Sequence, residues 1–213
     1  MSCFPIILSS PSGAGKTTIA KALLDRRSDI GYSVSCTTRS PRPGEVEGKD
    51  YYFLNRSEFI RRMEQGAFAE SAEVHGNLYG TLKSEIERVL KSGRHVLMDV
   101  DIQGAALLRR AFPSVVTIFI LPPSGEVMLD RLRRRKAENK EQIVRRLESA
   151  LQELQAVEQY EYVVINDVLE ESVRRVESIV DAEVVSRKRV AGLREQVADL
   201  IQRLEAEIDT HST

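Results

Sequence analysis

Cysteine is scarce in this chain: among 213 residues only Cys3 and Cys36 occur, and neither stands in a Cys-x-x-Cys or metal-ligand spacing. That excludes a disulfide framework and a structural zinc site, and it makes a reducing cytoplasm the expected setting. Charge of one sign is missing as well. Lys plus Arg (31) nearly balances Asp plus Glu (32), leaving -1, so no global basic field exists to hold nucleic acid. The longest apolar runs fall far short of the about 20 residues that a membrane helix needs, which excludes a bilayer span. With no basic leader ahead of it, the short run from Phe4 to Leu8 reads as a first strand and not as a signal peptide. No internal repeat or low-complexity segment stands out. A content of 42% hydrophobic and 30% charged residues suits one globular domain with a small mobile insertion.

What the chain does have is an alternation of short apolar runs and helical tracts. Pro5-Ile6-Ile7-Leu8 leads through a Gly/Ser/Pro loop into residues 17–27, where Ile19, Ala22 and Leu23 have helical spacing. The rhythm returns at residues 94–101, at 115–121 ahead of a long helical tract from Ser124, and at Val163-Val164-Ile165. Strands buried on both faces and separated by helices predict an α/β fold with a parallel core sheet. Residues 32–82 break the pattern. Rich in Gly, Tyr, Ser and Thr, with strand-like pieces such as Asp50-Tyr51-Tyr52-Phe53-Leu54, they read as an insertion with its own small sheet. In the tail, Val190, Leu193, Val197, Leu200, Leu204 and Ile208 recur in steps of three and four, the stripe of an amphipathic helix that packs in cis or joins copies into a homo-oligomer.

Ser10-Pro11-Ser12-Gly13-Ala14-Gly15-Lys16-Thr17 matches the P-loop pattern G-x-x-x-x-G-K-[ST], except that Ser10 replaces the first glycine. A strand precedes it and a helix follows, the context that a nucleotide triphosphate site requires. Gly13 and Gly15 let backbone N–H groups converge, and the helix start adds its positive end, which suits a polyphosphate. Lys16 is expected at the β/γ-phosphates of ATP, the Thr17 hydroxyl at Mg²⁺, and Thr18 beside them. A glycine-rich turn that merely caps a helix is the bland alternative, and the loop alone does not name the phosphoryl acceptor.

On the acceptor side, the run Ser33 to Glu45 sets Arg39 and Arg42 three residues apart among hydroxyls, a suitable grip for a dianionic phosphate. That run carries S-x-T-T-R-x-P-R-x-G-E from Ser35, followed by Gly48-Lys49-Asp50-Tyr51 and Gly76-Asn77-Leu78-Tyr79-Gly80-Thr81. In order and spacing it closely resembles the guanylate kinases, and the resemblance extends through Asp167. It implies a P-loop kinase fold with a helical lid, Mg²⁺ with ATP as co-substrate, and GMP as acceptor, with dGMP beside it. It implies further that Ser35, Arg39, Arg42, Tyr51 and Tyr79 hold the GMP phosphate, and that Glu70, Thr81 and Asp101 face the base. The chemistry agrees: guanine presents N1–H and a 2-amino group that one carboxylate accepts together, whereas adenine leaves such groups unpaired. Taken singly, the tyrosines read as core, the arginines as a solvated loop pair and Glu70 as a surface carboxylate.

Asp99 and Asp101 flank Val100 at the end of an apolar strand, so both carboxylates stand at the carboxyl edge of the sheet. The resemblance implies Asp99 near Mg²⁺ or its water; Asp101 has helix capping as a competing use. Five of the six residues 131–136 are basic, which elsewhere marks a solvated face. By resemblance, Arg131, Arg135 and Arg146 are lid arginines that neutralise charge in transfer. The chain departs from the family where it reads Arg134-Arg135-Lys136, since glycines are common there. Asn166, after the last strand, is implied near the adenine of ATP, against a simple Asx turn. His75, His95 and His211 read as structural or exposed. The expected division is a nucleotide-binding core of 1–31, 83–125 and 150–189, a GMP-binding insertion 32–82, a lid 126–149 and a tail helix 190–213. Two rivals share these residues: a non-catalytic guanylate-kinase-like module that binds a protein, and a P-loop kinase for another small phosphorylated acceptor.

Overall fold

Five short strands account for the centre of the molecule, and the most apolar of them lie innermost. In the computed structural model, which describes residues 3–74, 76–133 and 140–211, the chain starts with β1 (Pro5–Ser9), α1 (Lys16–Arg26) and β2 (Ile30–Tyr32). The segment that follows contains β3 (Ser35–Thr37), β4 (Tyr52–Phe53), α2 (Arg56–Glu64), β5 (Phe68–Val74) and β6 (Asn77–Leu82). Then come α3 (Lys83–Lys91), β7 (His95–Asp99), α4 (Ile102–Ala111), β8 (Val116–Leu121), α5 (Gly125–Arg133), α6 (Lys140–Gln155), β9 (Tyr162–Ile165), α7 (Leu169–Val184) and α8 (Leu193–His211).

Strands β2, β7, β1, β8 and β9 form a five-stranded sheet in that order, and every pairing in it is parallel. All five β1 residues are buried, as an apolar run predicts for a central parallel strand. One expectation needs correction. Val163-Val164-Ile165 is not buried on both faces: β9 is the sheet's edge, and Val163 (47%) and Ile165 (49%) are exposed while Val164 is buried. A β-branched triplet reports strand propensity, not whether a helix covers its second face.

The insertion has its own four-stranded mixed sheet, ordered β4-β3-β6-β5. One face packs Cys36, Phe59, Phe68, Leu78 and Leu82 together, with the Phe59 and Phe68 rings stacked at 4.4 Å. Gly80 belongs to that face by necessity, since a Cβ there would stand 2.9 Å from Phe68 Cδ1 and 3.1 Å from Phe59 Cζ. The α5 and α6 helices meet through Met128, Leu132, Ala150 and Leu154. His95 is buried and its Nδ1 accepts the Phe4 N–H at 3.3 Å, a structural contact; His75 lies outside the described residues. The chain divides into two compact units, Cys3–Glu177 and the segment from Ser178 onwards. Within the second, Arg189 pairs with Glu183 at 2.8 Å, both nearly buried, and α8 contributes no buried residue.

Candidate active site

The loop between β1 and α1 owes its shape to two glycines. Gly13 (φ 86°) and Gly15 (φ 95°) take left-handed backbone on either side of Ala14, a conformation that a side chain resists. Behind the loop, buried Asn166 donates from Nδ2 to the Ala14 carbonyl at 2.7 Å and so fastens it to the end of β9. This contact is also why position 15 has no room: a Cβ there would stand 2.3 Å from Asn166 Nδ2. Ser10, in the place of the first P-loop glycine, turns its hydroxyl to the Pro11 carbonyl at 3.0 Å.

Lys16 and Thr17 open α1, and both reach the end of β7. The Lys16 Nζ lies 2.6 Å from Asp99 Oδ1 and donates to the Val100 carbonyl at 2.9 Å. The Thr17 hydroxyl donates to Asp99 Oδ2 at 3.2 Å. Together with Thr18, Arg131 and Glu153 the loop bounds a cavity of about 400 Å³. Arg131 Nη1 reaches the Gly13 and Ala14 carbonyls at 3.4 and 3.3 Å. Arg146 Nη2 donates to the Ser12 hydroxyl at 3.2 Å, and the Ser12 N–H donates to Glu153 Oε2 at 2.9 Å. Arg135 lies outside the described residues.

A second cavity, about 180 Å³, begins at Lys16 and Asp99 and runs into the insertion. Its wall is a product of strand register. Ser35 pairs with Thr81 and Thr81 with Glu70, so these three side chains form one row across β3, β6 and β5; Thr37, Tyr79 and Ala72 make the next. Ser35, Glu70, Tyr79 and Ala72 line the cavity, whereas Thr81 and Thr37 are fully buried and do not. Glu70 reaches this wall only because the register shifts between Phe68 and Glu70. In an unbroken strand residues two apart share a face. The extra residue, Ala69, sends Phe68 into the apolar cluster and Glu70 towards the cavity. There Glu70 is 7% exposed and accepts the Thr81 hydroxyl at 2.6 Å. Burial pushes its carboxyl up to about 7; the Thr81 hydrogen bond opposes the rise and the Asp101 charge adds to it. Asp101 borders the cavity and also caps α4, accepting the Gly104 N–H at 2.8 Å.

Beyond Tyr51 a wider cleft of about 930 Å³ carries Arg39, Arg42, Thr17 and Asp99 on its walls. Arg39 is forked onto Glu45, with Nη1 and Nη2 each 2.9 Å from a carboxylate oxygen, and stands 5.3 Å from the Tyr51 ring centroid. That pair raises the Arg39 pKa and holds Glu45 below the ordinary carboxylate range. Glu45 also accepts the Arg42 N–H at 2.7 Å. Tyr51 and Tyr79 meet edge to face at 6.1 Å. Lys16, Ser35, Tyr51, Glu70, Tyr79, Asp99 and Asp101, chosen from separate parts of the sequence, thus line a single cavity.

The chain has relatives in sequence and in fold. A family model described as guanylate kinase matches residues 2–183. This chain belongs to the guanylate kinase family. A guanylate kinase of Clostridium perfringens is 45% identical over 194 residues, 91% of this chain and 88% of that one. One from Caldanaerobacter subterraneus is 46% identical over 178 residues, 84% and 86% of the two chains. In fold, the crystal structure of guanylate kinase from Anaplasma phagocytophilum covers 91% of this chain and 93% of its own, with a TM-score of 0.76 and 39% identity.

Against this guanylate kinase background, three contributors escape a reading of the sequence alone. Glu45 was visible only as part of the motif run; its fork onto Arg39 is a six-residue loop contact with no periodic signal. Glu153 sits seven residues, two helical turns, after Arg146, so one face of α6 brings both to Ser12. The Ala69 bulge has no sequence signature at all.

Proposed function

We propose that the chain transfers the γ-phosphate of ATP to GMP, and to dGMP, giving ADP and GDP. The observation that carries this reading is the shared cavity, in which the P-loop's Lys16 and the β7 carboxylate Asp99 adjoin Ser35 and Glu70, with Thr81 buried between those two in the row behind them. On this reading residues 32–82 are the acceptor module, 126–149 the lid, and the remaining parallel-sheet region, with 1–31, 83–125 and 150–189, the nucleotide core. The loop N–H groups and Lys16 hold the triphosphate, with Asn166 acting through its grip on Ala14. Arg39 and Arg42, with Ser35, Tyr51 and Tyr79, take the acceptor phosphate. Glu70 as a carboxylate accepts guanine N1–H and the 2-amino group, with Asp101 beside it. Thr81 owns one hydroxyl proton, now given to Glu70, and turns it to guanine O6 when the base occupies the carboxylate.

Transfer is direct and in line, because a phosphate oxygen of GMP is already a nucleophile at neutral pH and needs no general base. Arg131, Arg146 and Arg135 supply positive charge around the moving phosphoryl group. The hard oxygens of Thr17 and Asp99, 3.2 Å apart, fit Mg²⁺, a cation that keeps several waters and shares its shell with substrate phosphates. Among the described residues there is no cluster of three His, Cys, Asp or Glu that could hold a metal ion. The ion would offset the negative charge of the β/γ oxygens.

A panel of GMP, dGMP, AMP, CMP and UMP with Mg·ATP, read as ADP formation, tests the reading. Rapid turnover with GMP and dGMP alone is expected; equal rates with AMP, or no ADP at all, would refute it. We propose also that copies of the chain pair through α8, where Val197, Leu200, Ile201, Leu204 and Ile208 are 43 to 65% exposed along one helix. Sedimentation with and without the residues after Arg189 reads this, and identical monomeric values would dismiss it. No helix among the described residues is long and apolar enough to cross a membrane. We place the protein in the cytoplasm, acting on small nucleotides and not on nucleic acid, on the strength of its two free thiols and balanced charge.

A further inference from the structure

Glu70 is held from two sides. One oxygen, Oε1, accepts the Thr81 hydroxyl at 2.6 Å. The other faces the first turn of α4, where Gly104 has no side chain. A Cβ at that position would stand 3.0 Å from Glu70 Oε2, 3.2 Å from its Cδ and 3.4 Å from Val100 Cβ. Carbon and oxygen atoms at such a separation lie inside the optimum for non-bonded contact, so one of them has to move.

Nothing local asks for glycine at 104. It lies inside α4 and is not among the glycines with positive φ. Its N–H donates to Asp101 Oδ1 at 2.8 Å, a bond that any residue except proline could make. Within a helix, alanine is the better former. Helix propensity therefore favours a methyl group here, and the contact with Glu70 opposes it.

We infer that Gly104 is a positioning residue for recognition of the acceptor base: its missing Cβ sets how closely β5 approaches α4 and thereby where the Glu70 carboxylate stands. This rests on the reading of Glu70 as the guanine ligand. With a methyl at 104, the carboxylate gives way either by leaving Thr81 or by moving into the cavity that the base enters. Both displace the acceptor for guanine N1–H and the 2-amino group. The three atoms nearest the methyl belong to Glu70 and Val100, not to the P-loop.

Gly104→Ala tests the inference through a split between substrates. The KM for GMP is expected to rise about tenfold, as when a charge-assisted hydrogen bond is misaligned and not removed. The KM for ATP should stay within about twofold, and the thermal midpoint should hold or rise with the improved helix propensity. Glu70→Gln distinguishes the two possible failures. If that variant leaves the KM for GMP and the preference over AMP unchanged, the assignment of Glu70 is wrong. If Glu70→Gln raises the KM for GMP and Gly104→Ala does not, the present inference alone falls. Should Gly104→Ala lower the midpoint, the change is repeated in a Glu70→Ala background. A loss confined to the chain that retains Glu70 supports the contact, and the same loss in both overturns it.

Discussion

Raising the pH through neutrality will tighten GMP binding and, over an adjoining range, weaken the substrate-free fold, with Glu70 responsible for both. Its carboxyl is buried, and burial sets it at about 7 against an ordinary 4.5. Guanine's recognition edge offers two donors, so the ionised carboxylate can accept both while the protonated acid cannot. Between pH 6 and 8 the ionised fraction of such a group rises about tenfold, and the GMP dissociation constant should fall by the same factor. Stability runs the other way. Between about 4.5 and 7 the folded chain keeps a proton that the unfolded chain has released. The contribution is therefore fully present below 4.5 and is lost as pH climbs to 7, about 3 kcal/mol in all. Calorimetric titration of GMP at pH 6, 7 and 8, paired with thermal scans of the free protein, measures both slopes. The GMP phosphate has a second ionisation near about 6 of its own, so Glu70→Gln is the necessary control, since it keeps that ionisation and removes the carboxyl. Slopes that are the same in Glu70→Gln and in the native chain would refute the argument.

Lys16→Ala will lower kcat by about a thousandfold or more while the chain stays folded, because it removes the charge next to the β/γ-phosphates from a partly exposed pair; near-native kcat would contradict the proposed site. Gly15→Ala forces a side chain into φ 95° and to within 2.3 Å of Asn166 Nδ2, so a denaturant midpoint should report a loss of about 2 kcal/mol or more; no measurable loss would mean that the loop is not held as described. Arg39→Lys keeps the charge but not the fork that Glu45 now fills, and its KM for GMP should rise about tenfold or more with the KM for ATP unaffected.

The central fold could be read in the sequence because parallel strands buried on both faces are written as continuous apolar runs, and β1, β7 and β8 are such strands. The P-loop could be read for a similar reason, since its glycines and lysine serve the backbone and the phosphate locally. The limits of that reading lie where tertiary context decides. Val163 and Ile165 look like core residues and are exposed at the sheet edge. Glu70 looks like a surface carboxylate in a short strand, and only the register shift after Phe68 turns it into the cavity. Glu153 looks like one more charge on a polar helix, yet the Ser12 N–H donates to it. Each depends on what another element brings alongside, which no local pattern records.

Two of the cations assigned to phosphates, Lys16 and Arg39, have anionic partners within the chain: Asp99 lies 2.6 Å from Lys16, and Glu45 fills the fork of Arg39. These carboxylates fix the side chains in place, which lessens the ordering that a substrate must impose. They also compete with it. A carboxylate carries a single negative charge, and a phosphate near neutral pH carries closer to two with three acceptor oxygens. The phosphate can therefore displace or share the Arg39 fork where a neutral group cannot. A nucleoside brings Arg39 nothing that Glu45 does not already provide, so on the proposed reading the site would select for a phosphate on the acceptor before Glu70 reads the base.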